Sequence, residues 1–237
     1  MRNFFLLATV AIGLASCQNE FDATEASAFE MKAATADYTA ACSLPVTTVS
    51  GDITSNTTWD NDHVWEISGV VRVKNNATLT IEAGTYIKAS ATAGDPNGVL
   101  VITKTGKINA VGTSANPIIF TSYNLLDCDS STSPSPGDFG GIVLLGDAPV
   151  NTGSTTNIIE GLDDQPNPSD FYFGGTNSSH DIGSMQYVRI EFAGYDFVGA
   201  NSGNEVNALT LAGVGNGTTL DHIQVSFGQD DSFEFFG

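Results

Sequence analysis

Positive charge is scarce in this sequence. Its 237 residues hold 8 Lys and Arg against 27 Asp and Glu, a formal net charge of −19. From residue 108 onward there are 16 acidic residues and a single base, Arg189. Such a surface lacks the clustered Lys and Arg that neutralise phosphates, which excludes nucleic acid as a partner. It also repels anionic lipid headgroups. Long apolar runs are lacking as well. The longest, residues 4–14, falls short of the roughly 20 residues a membrane-spanning helix needs. The three histidines, His63, His180 and His222, are scattered, so neither a metal set nor a catalytic triad is legible. There is no Gly-x-Ser-x-Gly elbow and no phosphate-binding loop. Helix formers are thin, with few Lys, Glu and Leu. Gly, Val, Ile, Thr and Phe are common, which favours strands and turns.

Met1-Arg2-Asn3, the apolar run and Ala15-Ser16-Cys17 have the parts of a secretory signal. Leu14-Ala15-Ser16-Cys17 resembles the lipobox of bacterial lipoproteins. The resemblance implies acylation of Cys17 and removal of residues 1–16 as a signal peptide. Gln18 after the cysteine argues against retention at an inner membrane. Asn19, Glu20 and Asp22 resemble the surface-export signal of bacteroidete lipoproteins. Multiple acyl chains would anchor the protein to the outer membrane, facing the cell surface, without spanning it. Residues 17–41 read as a disordered acidic tether, and residues 42–237 as one folded domain. Cys42 and Cys128 are then an even pair in an oxidising compartment, where a disulfide is expected to persist.

Within that domain two stretches repeat. Short strands are predicted over residues 70–73, 79–81 and 86–88, and again over 99–102, 107–109 and 118–121. Val71 and Val73 correspond to Leu100 and Ile102, and Leu79 to Ile108, all at an offset of 29. Three strands per repeat make one coil of a solenoid, whose inward side chains are buried only by stacking on other coils. Further strands are predicted over 142–145, 157–160, 186–192, 208–211, 222–227 and 232–236, with loops at 127–137, 162–170 and 194–203. The expected fold is therefore all-β, a right-handed parallel β-helix. The predicted strands, about 4–7 residues long, are short for a membrane barrel, whose strands need about 9–11. No capping element follows residues 232–236, so the sequence reads as truncated at its C-terminus.

Several phrases carry a more specific resemblance: Gly51-Asp52-Ile53-Thr54 with Trp59, residues 77–85, Asn116-Pro117-Ile118-Ile119-Phe120-Thr121-Ser122, Gly137-Asp138-Phe139-Gly140-Gly141-Ile142 with Gly146-Asp147-Ala148-Pro149, residues 187–194, residues 203–211 and residues 230–237. Together they resemble bacteroidete surface lipoproteins of the parallel β-helix type. That family has no established activity and is sometimes labelled as transporters. It therefore implies a fold and a location but transfers no catalytic residues.

Gly228-Gln229-Asp230-Asp231 looks like the Asp-Asp element of polygalacturonase-type glycoside hydrolases, which would make Asp230 and Asp231 the catalytic acids. That family's Asn-Thr-Asp element is absent upstream. A Ca²⁺-dependent lyase would use carboxylates for the metal and an Arg base, and Arg189 is the sole base in that half. Arg189 has Glu191 as its expected partner on the same strand face. Ca²⁺ without catalysis is a further reading, with Asp163, Asp164 and Asp170, or Asp230, Asp231 and Glu234, as weak ligand groups; the alternative is ordinary solvated turn acids. Trp59, Trp65, Phe171 and Tyr172 either stack on sugars or pack in a core. The resulting expectation is a lipid-anchored β-helix scaffold or adhesin for glycans or envelope proteins, with no required cofactor. A polysaccharide hydrolase or lyase is the alternative.

Overall fold

The computed structural model describes residues 38–93, 97–196 and 205–237. Residues 1–16, read as a signal peptide, Cys17 and most of the segment read as tether lie outside them, as does much of the predicted 194–203 loop. Among the described residues no helix is long and apolar enough to cross a membrane.

The chain winds as a right-handed parallel β-helix with three faces. Strand β1 (Val46–Ile53) and β2 (Thr57–Trp59) form the first coil, and β3 (Val64–Val73) and β4 (Thr78–Ile81) the second. Then come β5 (Tyr86–Ala89), β6 (Val99–Ile102) and β7 (Lys107–Val111), followed by β8 (Ile118–Thr121) and β9 (Gly141–Leu145). After an insertion carrying β10 (Asn157–Ile158) and β11 (Tyr172–Phe173), β12 (Gly183–Glu191) resumes the winding. The pair β13 (Tyr195–Asp196) and β14 (Glu205–Val206) is a small antiparallel hairpin. Strands β15 (Leu209–Ala212), β16 (Thr219–Ser226) and β17 (Phe233–Phe236) complete the described coils.

The predicted repeat is the coil-to-coil register. Val71 lies opposite Leu100 and Val73 opposite Ile102 in the β3–β6 pair, while Leu79 lies opposite Ile108 in β4–β7. The ladder continues from Leu100 through Ile142 and Leu209 to Phe233. Trp65, Ile87 and Phe120 form another inward ladder with Ile190 and Val225. Most rungs bury an apolar side chain, worth about 1.5–3 kcal/mol when complete, whereas Phe233 in the last described coil is 39% exposed. Trp59, Ile67, Leu79, Phe120 and Phe139 are fully buried in this one interior column.

Four strands are longer than the predicted 4–7 residues because they run through corners, β1 at Gly51, where its register with β3 shifts, and β3, β12 and β16. In β3 the bend falls at Gly69, whose φ of 72° no β-carbon opposes. In β12 and β16 it falls at Tyr187 and His222, both left-handed with φ of 51°. Non-glycine residues pay for that conformation in steric strain, so tertiary packing must hold it. Strands β1 and β2 form a coil ahead of the first repeat read from the sequence.

The predicted coil strand over 157–160 is different. Only Asn157–Ile158 is extended, and it pairs antiparallel with Tyr172–Phe173 inside the insertion. Ile159, Leu162, Phe171 and Phe173 of that insertion bury the outer side chains of Val99, Val101, Val143 and Leu145. They form a second core, outside the solenoid, which explains why β6 and β9 are apolar on both faces.

The folded unit also reaches back into the segment read as tether. Tyr38 and Ala41 are buried, and a short 3₁₀ turn spans Ala41–Ser43. Cys42 is disulfide-bonded to Cys128, with Cα atoms 5.5 Å apart, a usual separation for such a bond. The bridge ties this strap to the loop after β8.

Candidate functional site

The strap crosses the outer side of the face built from β5, β8 and the second half of β12 and β16. There the outward-facing partners in register are Tyr86, Ile119, Arg189 and Gln224. At the adjoining corner the left-handed conformation turns Tyr187 and His222 the same way. Their rings stack with centroids 4.3 Å apart and planes 18° off parallel. Strap, ladder and corner bound an open groove of about 870 Å³, completed by Asn61, Thr113, Ser114, Asn116 and Pro117. That volume lies in the range of small-ligand sites, roughly 300–1,000 Å³.

Beneath Arg189 is a buried polar network. The guanidinium donates to Glu191 Oε1 from Nη2 at 2.6 Å and from Nε at 3.1 Å. Glu191 is 1% exposed. Its other oxygen accepts from Thr121 Oγ1 at 3.0 Å and from the Tyr38 hydroxyl of the strap. A buried carboxylate is tolerable only when paired and hydrogen-bonded, and this one is both. Burial first, then the Glu191 charge and hydrogen bond, push the Tyr38 hydroxyl far above its ordinary pKa, so it remains a donor. The network fixes Arg189 in place and couples the strap to the groove floor. Tyr38 also meets Tyr86 edge-on, with centroids 6.2 Å apart.

The groove thus offers aromatic faces, amides, hydroxyls and one neutralised guanidinium. Among the described residues that line it there is no Asp or Glu. Aromatic faces beside amides and hydroxyls present apolar surfaces for stacking together with hydrogen-bond donors and acceptors.

The residues singled out from the sequence lie elsewhere. Asp230 and Asp231 sit on the exposed turn between β16 and β17. The Asp231 carbonyl accepts from Ala208 N at 3.1 Å, and neither aspartate lines the groove. Glu234 points outward from β17 and accepts from Asn207 Nδ2 at 2.7 Å. Its pKa is raised to about 7 by burial, with the nearby charges of Glu160 and Asp231 also opposing ionisation and the Asn207 bond favouring it. Asp163 and Asp164 are exposed on the insertion. Asp170 is engaged by Lys74 Nζ at 2.5 Å and by Arg72 at 3.5 Å. Among the described residues no three His, Cys, Asp or Glu side chains gather as a metal-ligand set.

Of the aromatic candidates, Trp59 is inside the column with Trp65 stacked on it at 5.5 Å. Phe171 is buried in the second core. The groove aromatics, Tyr86, Tyr187 and His222, escape sequence reading because their common location depends on register. A signal does exist. Val188 to Phe192 and Ile223 to Phe227 carry the same alternation, and one position earlier in each stands the corner residue, Tyr187 or His222.

A family model described as a pectate-lyase-like beta helix domain matches residues 51–237, most of the chain. No curated protein and no solved structure matches it.

Proposed function

The chain belongs to the pectate-lyase-like beta helix domain family, and on that premise we propose that it is a scaffold whose groove beside Tyr187, Arg189 and His222 binds a glycan. The observation that carries this reading is the lining itself: three aromatic or imidazole rings and several amides and hydroxyls, with no carboxylate among the described lining residues. In the same reading the chain is an exported lipoprotein, acylated at Cys17, that displays the groove at the outer surface of the envelope. Glycans of the envelope or of its surroundings are the ligands, and other envelope proteins are the alternative partners.

β-helices host both binding proteins and polysaccharide-degrading enzymes, so the site and not the fold must decide. Two-carboxylate hydrolysis holds its acids roughly 5–9.5 Å apart across the scissile bond. Asp230 and Asp231 are not among the residues that line the groove. A glycan array incubated with the folded domain tests the proposal. Retention of a defined glycan set, lowered about tenfold by Tyr187→Ala and unchanged by Asp230→Asn, is the expected result. That ratio corresponds to about 1.4 kcal/mol, within what one aromatic contact supplies. Release of oligosaccharide that stops on Asp230→Asn would overturn it in favour of a hydrolase.

A further inference from the structure

One wall of the groove is not part of the solenoid. Ala40 and Leu44, from the strap ahead of β1, line it together with Tyr86, Ile119, Tyr187 and His222 of the coils. Cys42 stands midway between those two strap residues, and its bridge to Cys128 fastens this wall to the loop after β8. Both cysteines are exposed, so a thiol in solution can reach the bond.

The two sides of the bridge are unequally held. The loop on the Cys128 side has a fastening of its own. The Asp138 carboxylate accepts from Ser122 Oγ at 2.5 Å, from Ser135 N at 2.8 Å and from Asn124 Nδ2 at 3.2 Å, which closes the base of the loop. Thr132 Oγ1 donates across it to Asn124 O at 3.1 Å, and Leu126 is buried beneath. The strap is a single 3₁₀ turn, Ala41–Ser43, too short to hold by itself. Its bonds from Leu44 N to Ala41 O and from Ser43 Oγ to Ala40 O, both 3.0 Å, are internal. Toward the body it offers the buried side chains of Tyr38 and Ala41 and the Tyr38 hydroxyl bond to Glu191. Ordering residues 38–44 costs backbone entropy. The bridge removes much of that cost by confining the strap near its seat, as a short linker raises effective concentration. Cys128 is also left-handed, with φ of 64°, a strained conformation for a residue with a β-carbon that relaxes once the bridge is open.

We propose that the Cys42–Cys128 bridge is a redox latch on the groove: a dithiol reductant opens it, the strap leaves its seat, and the groove loses a wall together with the Tyr38 hydroxyl that steadies Glu191 beneath Arg189. The step is thiol–disulfide exchange. A thiolate of the dithiol attacks one sulfur of the bridge and forms a mixed disulfide, and the other cysteine leaves as a thiolate that takes up a proton. The second thiol of the reductant then displaces the remaining cysteine. The bridge gains two electrons and two protons, and the dithiol becomes a disulfide. The consequence for ligand rests on the glycan reading of the groove: the bridged form holds a saccharide between the strap and the Tyr187 and His222 rings, and the reduced form releases it. Departure of the strap does not depend on that reading.

Hydroxyl-radical footprinting tests the latch with no ligand present. It compares the bridged protein, the protein reduced with dithiothreitol and capped with iodoacetamide, and Cys42→Ser with Cys128→Ser. Tyr38 is 3% exposed in the bridged form, and its oxidation should rise about tenfold in both bridge-free samples, as for a locally opened segment. Leu126 in the loop and Phe120 in the interior column should stay protected in all three. An uncapped reduced sample treated with oxidised dithiothreitol should regain protection of Tyr38. Retention on a printed array of oligosaccharides should fall about fivefold when the bridge is absent, as expected for a site that has lost its preorganised wall. Tyr38 still protected after reduction would overturn the latch, as would equal loss of protection at Leu126 and Phe120. Loss of Tyr38 protection with undiminished array retention would overturn its control of the groove. A bridged protein that retains no glycan counts against the glycan reading alone, and the footprint still decides the latch.

Discussion

Replacing Phe171 with alanine probes the feature that distinguishes this solenoid, its second core. Phe171 is fully buried among Val99, Val101, Val143, Leu145, Ile159 and Leu162, and the Arg72 guanidinium carbon lies 5.9 Å from its ring centroid. Phe-to-Ala in a core costs about 3–5 kcal/mol through lost transfer energy and the cavity left behind. The partly exposed cation–π contact adds no more than about 1 kcal/mol. For a domain near 200 residues each kcal/mol lowers Tm by about 2–4 °C, so the variant should melt roughly 6–20 °C lower. Coils contact only their neighbours, so the loss should be concentrated in β6, β9 and the insertion. Hydrogen exchange would show faster exchange there and near-parental protection in β4 and β7. A fall in Tm below about 2 °C, or uniform loss of protection along the solenoid, would refute the view that the insertion is packed as a layer on the outer face.

Reducing the Cys42–Cys128 bridge, which closes a loop of 86 residues in sequence separation, should cost about 2–4 kcal/mol. Proteolysis at the strap should rise with it; an unchanged melting curve would contradict the tie between strap and loop. Stability should fall as pH rises through the range in which Glu234 titrates. Glu234 has a folded pKa of about 7 against an ordinary 4.5, so between these values the folded state holds more protons than the unfolded one. The stabilisation is complete below about pH 4.5 and gone above about 7, and Glu234→Gln should flatten that slope in pH-dependent melts. Labelled palmitate should enter the full chain and be lost on Cys17→Ser; incorporation that survives the substitution would refute the anchor.

The winding was readable because its cause is local and repeated. Inward Val, Leu and Ile recur at an offset of 29 with turn residues between them, and those pairs are the observed rungs. The Arg189–Glu191 pair was readable for the same reason, two residues apart on one face of a strand. The insertion was harder. Asn157–Ile158 has the apolar and β-branched look of a coil strand, and only tertiary packing makes it a partner of Tyr172–Phe173. The contribution of Tyr38 was hidden too, because a lone tyrosine in an Ala- and Thr-rich stretch shows nothing of the buried Glu191 it meets. The groove depended on two left-handed corners at non-glycine residues, Tyr187 and His222. Propensity argues against that conformation at both positions, so they show up only once the coils are stacked.

Calorimetry with the glycan that the array selects, followed by mass spectrometry of the same sample, tests the groove most directly. The account predicts saturable binding at one site, about tenfold weaker for Tyr187→Ala and weaker again when His222→Ala is added, with the glycan recovered intact. Undiminished binding in the double variant, or shortened glycan in the recovered sample, would contradict it.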